Sequence, residues 1–248
     1  MLPVRQTITC DIMLPGSYWE LIVDVNGYKN EVTEELSTQA KSGRKFEIIA
    51  NLQNWKKEFQ RIKVRLLEDG YICFFSIKEL NKNALSIKTW NPHLLNRNEI
   101  KPKLPKILKW IEQASKRKNY YLWGGTIGPN FDCSGLIQSS FASEGIWLPR
   151  DAYQQESFCK SIEFNSETFD EVLPGDLIFF GTQKKCTHVG LYKGNQLYWH
   201  SSGSINGRNG IGIDQLQPTK KNKVSIFYRS ILRSIGRVNF SHNGKTLP

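Results

Sequence analysis

Hydrophobic and polar positions along this chain change their period near residue 100. From about residue 17 to 80, short apolar runs follow the two-residue alternation of half-buried strands. Tyr18-Trp19-Glu20-Leu21-Ile22-Val23, Lys45-Phe46-Glu47-Ile48-Ile49 and Ile62-Lys63-Val64-Arg65-Leu66 carry it, the last alternating apolar with basic side chains. Glu68-Asp69-Gly70 reads as a turn that returns the chain into Tyr71-Ile72-Cys73-Phe74-Phe75, completing a hairpin. A small β-barrel is the expected product. Asn81 to Pro105 is polar and holds Pro92 and Pro102 as well, so it reads as a linker.

Beyond it the apolar period lengthens. Leu104, Ile107, Leu108, Ile111 and Ala114 share one helical face with lysines opposite, and a second helix starts near Cys133 with Leu136, Ile137 and Phe141 inward. Strand signals then follow at Asp176–Phe180, His188–Tyr192 and Gln196–His200, the last two joined by a Lys193-Gly194-Asn195 turn. A final strand is expected over Val224 to Leu232, with a disordered tail from about Asn239. Helices followed by an antiparallel sheet define an α+β domain. The expected boundaries are 1–95 for the β-rich domain and 104–238 for the α+β domain.

A chain of 248 residues can bury a proper core in one large domain or two modest ones. No run approaches the roughly 18 apolar residues of a membrane span, so stable membrane insertion is not expected. Met1 to Asp11 has one arginine and no long apolar stretch, which does not read as a secretory signal and favours the cytoplasm. Cys10, Cys73, Cys133, Cys159 and Cys186 are odd in number and lack a C-x-x-C pair, against a disulfide framework or a zinc knuckle. Cys186 with His188 lacks the further spaced ligands zinc needs, so neither metal nor cofactor is expected. The net charge of +11 is uneven, with 14 Lys/Arg against 12 Asp/Glu in residues 1–100 and 20 against 11 thereafter. That bias suits an anionic ligand, but no nucleic-acid motif accompanies it, and it reads as a solvated basic face.

Candidate chemistry centres on Asp132-Cys133-Ser134-Gly135-Leu136. A thiol at the start of a helix meets unpaired N–H groups and the positive end of the helix dipole, both of which favour the thiolate. It still needs a base, and two of the four histidines, His188 and His200, lie downstream in strand-like segments. Acyl transfer by a thiol requires a nucleophile, a proton acceptor and a group fixing the acceptor's tautomer. Cys133, His188 and His200 fill those roles, with a thiolate–imidazolium pair as the expected resting state. Asp132 has a second reading as the N-cap of the helix.

Five ordered blocks then stand out: Tyr121-Leu122-Trp123-Gly124-Gly125, Asp132 to Leu136, Leu173-Pro174-Gly175-Asp176-Leu177-Ile178-Phe179-Phe180, His188-Val189-Gly190-Leu191-Tyr192 and His200-Ser201-Ser202-Gly203. Together they resemble the NlpC/P60 family of bacterial cell-wall peptidases over about residues 104 to 232. The resemblance implies a papain-like cysteine peptidase core that needs no cofactor and hydrolyses the bond between γ-D-glutamate and a diamino acid in murein peptides. It implies an oxyanion role for Tyr121, substrate contacts from Asp132 and Ser134, and a cleft border at Arg150-Asp151. The N-terminal region resembles the SH3-like barrel of some relatives, where Tyr71 with Glu68 or Asp69 would receive the free α-amine of the substrate. Specificity for peptides with a free N-terminal L-alanine, and a cytoplasmic role in wall recycling, would follow. The partner implied is the murein peptide, and nothing in the chain addresses oligomeric state. The rivals are a papain-like murein amidase and a non-catalytic wall-binding protein using the barrel and the basic face.

Overall fold

Alternation decides which side chains the N-terminal region buries. The computed structural model describes residues 4–49 and 61–245, in two compact units, Met1–Pro92 with His242–Pro248 and His93–Ser241. Among the described residues, the first unit has strands β1 (Tyr18–Leu21), β2 (Val25–Tyr28), β3 (Leu36–Ala40), β4 (Lys45–Ile48), β5 (Arg61–Leu66), β6 (Ile72–Ser76) and β7 (Ala84–Ile87), with helix α1 (Ile77–Leu80) before the last. Trp19, Phe46, Ile62, Val64, Leu66 and Phe75 point inward, and Phe46 meets Phe75 edge to face at 5.4 Å between centroids. The expected hairpin is present, with Ile62 opposite Phe75 and Val64 opposite Cys73 in antiparallel register.

The strands form one antiparallel sheet in the order β3-β2-β6-β5-β4-β1-β7. Among the described residues this sheet is open, and the closed SH3-like barrel expected from the sequence is not found. The outer hydrogen bonds of β7 are already taken by the N-terminal segment: Arg5 N donates to Ser86 O, Ser86 N to Gln6 O and Ile8 N to Ala84 O.

The stretch expected to be a linker contains ordered elements. In β7 the small residues Ala84 and Ser86 face inward while Leu85 and Ile87 are half-buried, so polarity signals the wrong face. Further on, Asn96 and Glu99 form a capping box for α2 (Arg97–Ile100), which buries Leu95 and Ile100 in the core of the second unit.

In that unit α3 (Leu104–Ser115) buries Leu104, Ile107 and Ile111, as its spacing predicts. Then come α4 (Cys133–Ala142), α5 (Ala152–Phe158), β8 (Lys160–Ile162), β9 (Leu177–Gly181), β10 (Cys186–Gly194), β11 (Leu197–Ser202), β12 (Gly210–Gln215), α6 (Lys223–Ser230) and β13 (Leu232–Arg237). Their antiparallel sheet runs β12-β11-β10-β9-β13-β8. Helix α4 packs on β10 and β11, with Leu136, Ile137 and Phe141 fully buried against Val189 and Leu191. The unit is thus α+β, as expected.

Two local expectations fail here. Val224 to Ser230 is helical rather than extended, because Asn222 caps the Ser225 N–H at 3.0 Å and the turn buries Ser225 and Tyr228, three residues apart. The strand follows later, as β13. Nor is the tail loose through residue 245: Ser241 N donates to Leu95 O, His242 is buried, and Gly244 lies against Leu67. A Cβ on Gly244 (φ +75°) would stand 1.9 Å from Leu67 O, so no other residue fits that turn. Among the described residues, no helix is long and apolar enough to cross a membrane.

Candidate active site

Helix α4 presents Cys133 on its first turn, and three side chains fix that turn. Asp132 is the N-cap: its carboxylate accepts from Gly135 N at 2.6 Å and from Gly124 N at 2.9 Å. Arg150, itself buried, donates to both Asp132 oxygens, at 3.2 and 2.5 Å, and to Ser134 Oγ at 2.9 Å. The Gln155 amide reaches Ser134 O at 3.1 Å. Gly135 lets the helix start against the Gly124-Gly125 loop, since a Cβ there would lie 2.1 Å from Gly125 O. The reading of Asp132 as a helix cap is therefore realised. Asp151 caps α5, in a capping box with Gln154.

The hairpin β10–β11 carries the two histidines. His188 Nε2 lies 2.8 Å from His200 Nδ1, and His200 Nε2 lies 2.6 Å from Asp214 Oδ2 on β12. A carboxylate only accepts, so His200 donates through Nε2 and its Nδ1 must accept. His188 then donates through Nε2, leaving Nδ1 as its free lone pair. The Val189 and Ser134 N–H groups point at the Cys133 sulfur, so the thiol sits beside the residue that follows His188. Tyr228 stacks on His188 at 4.4 Å between centroids. Its hydroxyl pairs with Ser202 Oγ at 2.7 Å and accepts from Asn206 at 3.1 Å. The hydroxyls of Tyr121 and Tyr228 both lie within electrostatic reach of Cys133.

Burial sets the charge states. It pushes the Cys133 thiol up to about 12, with the Asp132 charge adding to it and the two amides and Arg150 opposing. Burial, with His200 beside it, holds His188 well below the ordinary histidine range. Asp214 is also desolvated, yet the hydrogen bond and charge of His200, then Ser225 and Arg208, bring it down to about 2. Both shifts run toward the neutral thiol and the neutral imidazole, against the thiolate–imidazolium pair expected from the sequence. Alkylation of Cys133 by iodoacetamide should therefore be slow at pH 6–7 and rise about tenfold per pH unit into the alkaline range. A rate already level at pH 7 would mean a depressed thiol pKa and contradict this.

The structure thus brings Cys133, His188, His200 and Tyr121 into one site and adds Asp214 and Tyr228, which the sequence reading missed. Asp214 had a signal: it is the last carboxylate side chain before a wholly basic stretch, at the end of the alternating Gly210-Ile211-Gly212-Ile213. Tyr228 was hidden by reading α6 as a strand. Glu68 and Asp69, expected from the sequence to receive the substrate amine, belong to the first unit and already have partners there. Arg44 pairs with them at 2.9 and 3.0 Å, and Lys45 N and Tyr71 N donate to them at 2.8 and 3.1 Å. Tyr71 packs against the core of that unit. Among the described residues, no group of three or more histidine, cysteine or acidic side chains is placed to hold a metal ion.

A buried thiol at a helix N-terminus, with a hydrogen-bonded histidine pair on the adjoining antiparallel sheet, is an arrangement suited to nucleophilic chemistry. Residues 118–227 match the model of the NlpC/P60 family, and this part of the chain is an NlpC/P60 domain. It is 40% identical over 122 residues to the bifunctional muramidase/DL-endopeptidase CwlT of Bacillus subtilis (strain 168), covering 48% of this chain and 32% of that protein. It is 40% identical over 84 residues to the gamma-D-glutamyl-L-lysine dipeptidyl-peptidase of the same organism, covering 33% and 27%. Against murein DD-endopeptidase MepS/murein LD-carboxypeptidase of Escherichia coli (strain K12), identity is 35% over 85 residues, covering 34% and 43%. The matches therefore span less than half the length of each of these relatives. Among solved structures, an NlpC/P60 family protein from Bacillus cereus ATCC 10987 shares the fold, with a TM-score of 0.64 and 16% identity over 90% of this chain and 100% of that one.

Proposed function

We propose that this protein is a cysteine endopeptidase that hydrolyses the bond between γ-D-glutamate and a diamino acid in murein peptides. The observation that carries the reading is the hydrogen-bonded His188–His200 pair beside a thiol held on the first turn of a buried helix. As substrate binds, the Cys133 proton passes to His188 Nδ1 while sulfur attacks the scissile carbonyl. The Cys133 N–H and the Tyr121 hydroxyl donate to the oxyanion. Burial keeps that hydroxyl protonated, which suits a donor. Collapse forms a thioester with the γ-glutamyl carbonyl, and His188 returns its proton to the departing amine. His188 then deprotonates a water, which releases the acid and restores the thiol.

The choice of scissile bond draws on the gamma-D-glutamyl-L-lysine dipeptidyl-peptidase among the relatives. Preference for a free N-terminal L-alanine is part of the proposal; Glu68 and Asp69, the carboxylates it would use, are each paired with Arg44. Mass spectrometry of products from L-Ala-γ-D-Glu-diamino acid, with and without an acetylated amine, tests both parts. Release of the free diamino acid is expected, at least tenfold faster from the unblocked peptide. Equal rates would remove the amine preference, and no release from either peptide would end the peptidase reading.

A further inference from the structure

The hydrogen bonds do not stop at the second histidine. Asp214 is fully buried, and every polar neighbour it has is a donor. His200 and Arg208 share Oδ2, at 2.6 Å from His200 Nε2, 2.6 Å from Arg208 Nη2 and 3.0 Å from Arg208 Nε. Ser225 Oγ and Asn222 Nδ2 share Oδ1, at 2.7 and 3.3 Å. A side chain that needed only to satisfy His200 would not require four further donor contacts from three other residues. Arg208 in turn donates to Ile213 O at 3.1 Å, and its guanidinium lies over Gly212, the strand partner of His200. A Cβ on Gly212 would stand 2.1 Å from Arg208 Nη1, so the strand is shaped around that guanidinium.

We infer that Asp214, held by Arg208, is a positioning residue that acts through His200 to set the basicity and tautomer of His188. The inference rests on the peptidase reading for its catalytic consequence, though not for its structural one. When His188 takes the thiol proton, its positive charge develops in a buried space where the carboxylate of Asp214 is the charge of opposite sign on the hydrogen-bonded chain. The proton stays on His188. His200 remains neutral, with its Nδ1 lone pair facing the imidazolium and its Nε2–H on the carboxylate. Arg208 tempers that effect, because it shares the same oxygen and is itself positive.

The groups facing this relay come from several elements. His188 is met by Tyr228 of α6 and Phe180 of β9, and His200 by Tyr198 of β11 and again by Tyr228. Cys133 of α4 and Tyr121 complete the titratable surroundings. Asp214 is the charged group in direct contact with His200, and Arg208 is paired with Asp214 on the same oxygen. They therefore move the acid limb of the rate profile in opposite directions.

Two variants and one spectroscopic measurement test this. Asp214→Asn keeps an oxygen for His200 and Arg208 but removes the charge. It is expected to lower kcat about 10- to 100-fold with KM nearly unchanged, and to shift the acid limb of kcat/KM to lower pH. Arg208→Met should shift that limb to higher pH. A purely structural role would shift neither limb, or both alike, and that outcome overturns the inference. Long-range ¹H–¹⁵N NMR of the wild-type histidines needs no substrate. It should show both His188 and His200 protonated at Nε2 and bare at Nδ1. The opposite tautomer at His200 would overturn the relay whether or not the protein cleaves murein peptides, while absent turnover with the expected tautomers would fault the peptidase reading alone.

Discussion

Cys133→Ala is expected to lower kcat on the γ-D-glutamyl tripeptide by roughly 10⁵–10⁶-fold, and His188→Ala by a similar factor. In the proposed mechanism the two groups act as one device. Without the sulfur the imidazole has nothing to activate, and without the imidazole a thiol pushed up to about 12 stays protonated at neutral pH. The double variant should thus be hardly slower than either single one, since residual rate comes from binding and the oxyanion donors. Stability should change much less. Removing one buried sulfur leaves a small cavity, while His188→Ala strands the Nδ1 acceptor of His200 at a cost of about 1–3 kcal/mol. Steady-state kinetics with far-UV circular dichroism as a fold control decide the matter. Turnover of Cys133→Ala within tenfold of wild type, or losses that multiply in the double variant, would mean that the pair does not work as one unit.

Legibility from sequence followed burial geometry. Strands β1, β4 and β5 and helix α3 were readable because each buries one face and exposes the other, so period alone placed them. Strand β7 inverted the rule, hiding Ala84 and Ser86 while its larger Leu85 and Ile87 stay half-buried. Helix α6 misled in another way. Val224, Ile226, Phe227 and Tyr228 favour strands by propensity, and only the Asn222 cap with the burial of Tyr228 beside His188 makes the segment helical. At the site, Cys133, His188 and His200 announced themselves because few residue types can do the chemistry proposed for them. Asp214 did not, since its importance lies wholly in what it touches. Among the described residues the sheet is open for a related reason. Strand patterns give the faces of a sheet but not the partner of its last edge, and here the N-terminal segment takes that place along β7.

The cap beneath Cys133 carries the other large effect. Arg150→Ala is expected to destabilise the second unit by about 3–5 kcal/mol, because Asp132 is left buried at a helix start without its counter-charge. Two amide donors from Gly124 and Gly135 remain, but they do not neutralise a carboxylate. The pair as a whole need not be worth that much. Both ions lose hydration on folding, so replacing them together by Asp132→Asn and Arg150→Ala should recover about 1 kcal/mol or more of the Arg150→Ala loss. Urea unfolding followed by tryptophan fluorescence measures the four proteins, and the interaction free energy is read from the cycle. A midpoint for Arg150→Ala equivalent to less than about 1 kcal/mol of change would show that water reaches Asp132. Activity adds a second readout, because Arg150 also holds Ser134, the residue after the thiol. Loosening that turn displaces the sulfur from His188, so turnover should fall even where the variant is fully folded. Asp132→Asn, which keeps one oxygen acceptor for the helix amide of Gly135, should retain more turnover than Arg150→Ala at equal stability. The ranking follows from geometry: the first turn is held by hydrogen bonds, and the guanidinium makes it affordable to bury the carboxylate that accepts them.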